Sequence, residues 1–402
     1  MLLVLVAAIS IHADFEGGSI GPVRQVVERH YECSLAGETD QDGRNRQATW
    51  YYFRLDGARG DEVVIDLVKL AGEYNYRPNA GGVSDKTPPV FSYDGQTWRH
   101  LTTVEYDPTT PRLRVRITPE RSPVWIAHTP PYTTQQLSQL LADVRGHPHL
   151  RRETAGKSVA GRDIVLLTVT DPAAPDEGKR VLWLMTRQHS WESGTSWVSE
   201  GALRFLLSRD PDAVRIRRTT IFRIFPMADP DGVARGGVRF NLNGYDLNRN
   251  WDAVDASKMP EIAAQRKAVL DWVDSGRRID LFVTLHNTET AEYLEGPPSD
   301  PGSGHAELMR RLFRILRDET TFSPTRGPEH SAASTTPGKP GRMTVTQGLY
   351  HDRRIPAFLI EQMIGFNSRL GRYPSVEDRL RFGTNLVKAM EEAVHDLSVT
   401  GP

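Results

Sequence analysis

The sequence predicts a two-part chain: an antiparallel β-sandwich, then an α/β domain on a mixed, mostly parallel sheet flanked by helices. Three observations predict it. Up to about Ala127, short strand-like runs are separated by turn signals such as Asp56-Gly57 and Asp94-Gly95, the pattern of a sandwich. Beyond Pro130-Pro131, apolar runs alternate with amphipathic stretches at helical spacing, the pattern of an α/β fold. Three of those runs, Arg180–Met185, Ile279–Leu285 and Ile355–Ile360, are rich in Val, Ile, Leu and Phe. Such runs suit strands buried on both faces of a parallel sheet.

Taken in order, Met1–Ile9 is apolar, and Ile11-His12-Ala13 resembles the approach to a cleavage site. Residues 1–13 are therefore expected to be a signal peptide, although the basic leading segment is missing and the run is too short to span a bilayer. The competing expectation is a buried N-terminal strand of a cytoplasmic protein. With cleavage the location is secreted or periplasmic; without it, cytoplasmic. Residues 14–130 form the expected sandwich, with strands near Trp50–Leu55, Glu62–Leu67, Val90–Tyr93, Leu113–Ile117 and Val124–Ala127. His128–Thr133, containing Pro130-Pro131, is the junction.

The second part is expected over residues 131–402. Thr133 or Thr134 caps a helix through Leu137, Leu140 and Leu141. Strands are expected at Ile164–Val169, Arg180–Met185, Thr219–Phe225, Leu281–Leu285 and Ala357–Ile360. Helices are expected at Ser196–Leu207, Glu261–Val273, Glu307–Leu316 and Val376–Val394. Gly327–Gly341 is rich in Ser, Thr, Pro and Gly and precedes Glu361, which favours a site loop. There is no internal repeat.

The 402 residues carry a formal net charge of -1, with 38% hydrophobic and 25% charged residues. That fits a soluble globular chain and gives no sign of a nucleic-acid partner, an anionic membrane surface or a membrane span. The local cluster Arg215–Arg218 is expected to be a solvated edge between helix and strand. The single cysteine, Cys33, excludes an internal disulfide and a cysteine-based zinc site.

The chemistry lies where the apolar runs end. Arg180–Met185 is followed by His189 and Glu192, spaced His-x-x-Glu; Ile279–Leu285 is followed by His286; Ile355–Ile360 is followed by Glu361. Each piece is weak alone, since a His after a strand often just covers a sheet edge. Together they place two His and two Glu on the rim where parallel sheets bind ligands. That is enough for a hydrolytic zinc site: three protein ligands, an open position for water and a carboxylate base. A fourth loop follows the strand Thr219–Phe225. It contains Asp229-Pro230-Asp231-Gly232, Arg239, and Asp246-Leu247-Asn248-Arg249. Its arginines offer planar forks suited to a substrate carboxylate; a structural loop network is the plainer alternative.

In that order, these motifs resemble the zinc metallocarboxypeptidases, the family of the pancreatic carboxypeptidases, over about Pro131–Val394. The runs Arg187–Trp197 and Arg239–Arg249, with Trp50–Arg54 and Pro130–Thr133 ahead of them, are most similar to the cytosolic carboxypeptidase branch. The resemblance implies one zinc ion per chain, held by His189, Glu192 and His286. It implies Glu361 as general base and acid, and Arg239 as the group polarising the scissile carbonyl. Asn248 and Arg249 would hold the terminal carboxylate of a peptide or protein substrate, and Asp246 would orient His189. An acidic C-terminal preference is also implied; Arg342 is a candidate partner for the acidic side chain, with a solvated loop arginine as the equally plain alternative. The sequence departs from the pancreatic pattern in having no tyrosine between Leu294 and Leu349; Lys339 lies near the expected place. Two other functions compete: a related amide hydrolase acting on acyl-amino acids or cell-wall peptides, and a catalytically dead peptide-binding homologue.

Overall fold

The computed structural model describes residues 8–43, 45–74, 77–331 and 341–395. Its first part holds two five-stranded sheets. One orders Ser10–His12, Tyr52–Asp56, Val124–Ala127, Val90–Ser92 and Arg99–His100, with every pair antiparallel. The other orders Val104–Asp107, Arg112–Ile117, Val63–Val68, His30–Ser34 and Val23–Val27. Alternation in Val63–Val68 turns Val63, Ile65 and Leu67 into a core shared with Tyr51, Phe53 and Leu55 of the facing sheet. The expected antiparallel sandwich contains one exception, since His30–Ser34 runs parallel to Val63–Val68. A small third sheet, Glu38–Thr39, Arg46–Gln47, Gly72–Tyr74 and Arg77–Asn79, sits beside the sandwich strands in the chain.

Ser10–His12 pairs with Tyr52–Asp56, so cleavage after Ala13 would strip a strand from the sheet. The first seven residues of the expected signal peptide lie outside the described residues. No described helix is long and apolar enough to cross a membrane.

The second part is built on an eight-stranded sheet. Its order is Leu150–Lys157, Asp163–Val169, Thr220–Phe225, Arg180–Thr186, Leu281–Thr288, Ala357–Met363, Tyr293–Gly296 and Glu329–His330. The four central strands, Thr220–Phe225 through Ala357–Met363, are mutually parallel. The near-continuous apolar runs are explained by cores on both faces. Leu182 and Leu184 enter the core beneath the helices Ser193–Leu207, Gly304–Glu319 and Val376–His395. Val181, Trp183 and Met185 enter the other, beneath Pro260–Asp274 and Val345–Arg353. Burying each such side chain contributes about 1.5–3 kcal/mol. Two glycines let Ser193–Leu207 and Val376–His395 touch backbone to backbone. A Cβ on Gly201 would stand 2.0 Å from the Leu380 carbonyl oxygen, and one on Gly383 2.1 Å from that of Val198.

Several local expectations change. Leu150–Lys157, Tyr293–Gly296 and Glu329–His330 are strands, and Pro211–Thr219, Pro230–Ala234 and Val345–Arg353 are helices; none is a long periodic run. Arg215–Arg218 is a solvated edge only in part, with Arg215 and Arg218 exposed and Arg217 buried. It ends the helix Pro211–Thr219, where Arg217 is buried on the carbonyls of Leu206 and Ser208, and Arg215 grips Glu391 at 2.8 Å. In Gly327–Gly341, Glu329–His330 is an edge strand, while 332–340, including Lys339, lie outside the described residues. His286 and Glu361 do not end their strands, which run two residues further to Thr288 and Met363.

Candidate active site

Three of the predicted residues meet at one point. Among the described residues, His189, Glu192 and His286 each offer a ligand atom, all within 4.8 Å of one another and all buried. Local structure explains how. After the strand Arg180–Thr186, Arg187 takes a left-handed conformation with φ 63°, a strained choice for a residue with a side chain. Its buried guanidinium holds the turn by donating to the Ser190 carbonyl at 2.9 Å and to Ser196 Oγ at 3.0 Å. The turn swings His189 inward and brings Glu192 to the start of the helix Ser193–Leu207. Glu192 does not use its side chain to cap that helix, so its carboxylate remains for the site.

Both rings turn Nδ1 towards Glu192. His189 Nδ1 is 2.7 Å from Glu192 Oε1, and His286 Nδ1 is 3.0 Å from Glu192 Oε2. The two Nδ1 atoms are 3.3 Å apart. Each Nε2 instead faces an outer acceptor: Asp246 Oδ1 at 3.1 Å for His189, and Gln188 Oε1 at 3.1 Å for His286. Outer acceptors of this kind hold the ring proton on Nε2 and turn the Nδ1 lone pair towards a metal. Two imidazole nitrogens and a carboxylate, buried and converging, fit zinc.

Glu361 completes the row. It is the register partner of His286 across the parallel strands Leu281–Thr288 and Ala357–Met363, so both side chains leave the same face of the sheet. Glu361 Oε2 is buried without a hydrogen-bond partner. Burial holds its carboxyl well above the ordinary range, with Glu192 and Glu295 adding to the effect and Arg239 opposing it.

Asp246 joins the metal cluster to the arginine loop. Its Oδ2 accepts from Arg239 Nε at 2.8 Å, and its Oδ1 also accepts from the Asn248 backbone N–H at 2.9 Å. Burial opposes its ionisation, but Arg239, Arg249 and His189 together hold the carboxyl well below the ordinary range. Asn248 Oδ1 accepts from the Val345 N–H at 3.0 Å. The backbone on either side of Arg342 packs against the same loop. The neighbours Gly341 and Met343 both donate backbone N–H groups to Asp252, and their carbonyls accept from Asn250 and Trp251. Arg342 is thus pinned beside the loop that carries Arg249.

Asp229 and Asp231 are structural. Asp229 caps the helix Pro230–Ala234 through Gly232 N–H at 2.9 Å, and Asp231 binds the Ala160 N–H and Arg162. Two further acids, Glu289 and Glu292, follow His286 in the sequence. Glu292 is held by the Ser323 N–H, whereas the Glu289 carboxyl is pushed up by burial and by the charge of Glu192. Sequence reasoning missed Gln188, although it adjoins His189. It also missed Glu295, which lies opposite Leu359 and therefore on the same face as Glu361, one row along.

A zinc carboxypeptidase family profile matches residues 137–294, and a cytosolic carboxypeptidase N-terminal domain profile matches residues 11–128. Residues 137–294 thus carry a zinc carboxypeptidase domain, preceded by a domain of the cytosolic carboxypeptidase N-terminal type. It is similar to an uncharacterised protein of Zymomonas mobilis, 27% identical over 400 residues and covering 98% of each chain. It is similar to cytosolic carboxypeptidase 2 of Macaca fascicularis, 29% identical over 291 residues, or 68% of this chain and 34% of that protein. The chain therefore spans about a third of the length of that relative. A metallo-carboxypeptidase from Burkholderia cenocepacia shares the fold, with TM-score 0.82, 23% identity, and coverage of 97% of this chain and 100% of that one. The family is zinc-dependent, in agreement with the donor set.

Proposed function

We propose that this protein is a metallocarboxypeptidase that removes C-terminal residues from peptides or proteins. The observation that supports it most is the convergence of His189, Glu192 and His286 with Glu361 opposite His286. His189, Glu192 and His286 hold one zinc ion per chain. Bound there, zinc supplies Lewis acidity and lowers the pKa of a water molecule. Glu361 would take a proton from the attacking water as the water oxygen bonds to the last peptide carbonyl carbon. Arg239 stabilises the negative charge growing on the carbonyl oxygen. Such a donor is typically worth about 3–4 kcal/mol. Glu361 then passes the proton to the departing nitrogen as the C–N bond breaks. Arg249 and the Asn248 amide group hold the free carboxylate.

The N-terminal domain runs to about residue 130 and includes the strand Ser10–His12, and the catalytic domain follows from 131. The location is cytoplasmic: Ser10–His12 belongs to a sheet, and similar proteins are named cytosolic carboxypeptidases. An acidic preference at the last residue rests on Arg342, pinned beside the Arg249 loop.

The test is mass spectrometry of peptides that differ only in their last residue, each with a free or amidated C-terminus, with and without chelator. Loss of single C-terminal residues from free peptides alone, abolished by chelator, is expected. Equal cleavage of amidated peptides would favour an amide hydrolase. A preference for basic last residues would shift selectivity from Arg342 to Glu295.

A further inference from the structure

The loop that carries Arg239 is held by a carboxylate from outside the catalytic sheet. Glu38 lies on the short strand Glu38–Thr39, paired with Arg46–Gln47 in the small N-terminal sheet. Its side chain is only 7% exposed. One oxygen, Oε2, accepts from three consecutive backbone N–H groups: Val238 at 3.1 Å, Phe240 at 2.8 Å, and Arg239 itself. The other, Oε1, accepts from Arg235, whose guanidinium also donates to the Phe240 carbonyl at 2.7 Å.

Successive N–H groups aimed at one point form an anion-binding nest, and here the anion is a side chain distant in sequence, since Glu38 and Arg239 are separated by 201 positions. Buried backbone donors need partners, and residues 238–240 form no strand or helix of their own. Glu38 therefore supplies what secondary structure would otherwise supply. The same N-terminal segment grips the far end of the loop, where Gln41 N–H donates to the Gly244 carbonyl at 3.1 Å. Gly244, at φ +81°, admits that approach because a Cβ there would stand 2.5 Å from Gln41 N. Between these two anchors Arg239 reaches Asp246, and Asp246 reaches His189.

We propose that Glu38 is a positioning residue of the active site, fixing the backbone of residues 238–240 and thereby the guanidinium of Arg239. This inference rests on the reading that Arg239 acts on the scissile carbonyl. Its consequence is that the N-terminal domain supplies part of the catalytic geometry rather than only covering the sheet.

The experiment uses the zinc-loaded full chain with Glu38→Ala, Glu38→Gln, Arg239→Ala and the corresponding double variants. Misplacing a group by about 1 Å can cost about 10²-fold in rate, so Glu38→Ala is expected to lower kcat by about that factor with little change in KM or zinc content. Glu38→Gln, which keeps one acceptor oxygen, is expected to lose less, and it carries the test if Glu38→Ala fails to fold. In the Arg239→Ala background, removing Glu38 is expected to change kcat no further. A kcat left intact by both Glu38 variants overturns the proposal, as does the same fold-loss with Arg239 already absent. Normal kcat in Arg239→Ala alone overturns the assigned role of Arg239 and this inference with it. A drop there with fully active Glu38 variants overturns this inference only.

Discussion

Glu361 stands directly opposite His286 across two parallel strands. The relationship is a matter of register. Side chains alternate faces along a strand, so a slip of one residue would turn either group to the opposite core. The register is secured by buried neighbours on both sides, Leu285 beside Ile360 in one core and Phe282 beside Ala357 in the other. A candidate metal-ligating imidazole and a carboxylate with one unpaired oxygen are thereby set side by side on rigid elements, a stable base for chemistry.

The first prediction concerns the partnerless oxygen of Glu361. Glu361→Gln preserves shape and removes the proton acceptor. It is expected to keep zinc and the fold but lower kcat by about 10²–10⁴-fold, the range for general-base loss. Zinc content and steady-state kinetics on one purified sample check both halves. Near-normal turnover would transfer the base role to Glu289, a half-buried acid whose carboxyl feels the charge of Glu192.

The second concerns metal retention. His286→Ala removes one of three ligands and is expected to lose most of the zinc equivalent measured in the wild type. Gln188→Ala leaves all three ligands but removes the acceptor 3.1 Å from His286 Nε2. Loss of an outer partner of this kind typically costs about 10–100-fold in metal affinity. Competition with a chelator of known affinity measures the difference. Unchanged affinity in Gln188→Ala would show that the His286 ring is oriented by Thr284, whose Oγ1 lies 3.2 Å from the same nitrogen.

Much of this arrangement was legible in the sequence, for a physical reason. A strand buried on both faces must be a continuous apolar run, and polar residues at its end mark the rim. That logic found Arg180–Thr186, Leu281–Thr288 and Ala357–Met363, and with them His189, Glu192, His286 and Glu361. It misjudged the last two by taking the end of the apolar run for the end of the strand. Backbone pairing continues through Asn287, Thr288, Gln362 and Met363 because the ladder needs only N–H and C=O groups. The short helix Pro230–Ala234 and the strand Glu329–His330 carry too few residues for a period. Gln188 and Glu38 were invisible for a different reason. Their importance lies in the atoms they meet, Gln188 at His286 and Glu38 at residues 238–240, and nothing local in sequence records such long-range contacts.

The third prediction separates the two arginines. Arg249 follows Asn248 on the loop pinned by Asp246, whereas Arg239 is tied directly to the Asp246 carboxylate. Losing ground-state carboxylate binding raises KM, while losing a donor used in the transition state lowers kcat. Arg249→Ala is expected to raise KM and erode the preference for free over amidated C-termini. Arg239→Ala is expected to lower kcat by about 10²–10³-fold with a smaller change in KM. Full discrimination against amidated peptides in Arg249→Ala would mean that other groups anchor the substrate.

The last prediction concerns pH and the seam between the two parts of the chain. His128 is fully enclosed, with its ring 5.4 Å from that of Tyr51 in the sandwich and 5.8 Å from that of Trp191, the residue before Glu192. Neither ring nitrogen has a hydrogen-bond partner, and burial lowers its pKa from 6.5 to about 3. Above pH 6.5 the ring is neutral in both folded and unfolded chains and has no effect on the balance. Between pH 6.5 and 3 only the unfolded chain takes up this proton, so stability falls as pH falls. At pH 5 the loss from this residue is about 2 kcal/mol, from 1.36 kcal/mol per unit over the gap to the unfolded value. His128→Phe keeps an aromatic ring at the seam and removes the titration. Urea unfolding of both proteins at pH 8 and pH 5 isolates the effect, because groups common to the two cancel in the difference. The variant is expected to gain about 2 kcal/mol relative to wild type on going from pH 8 to pH 5. Parallel stability curves over that range would show that His128 is not the neutral buried group that the packing of Tyr51 and Trp191 demands.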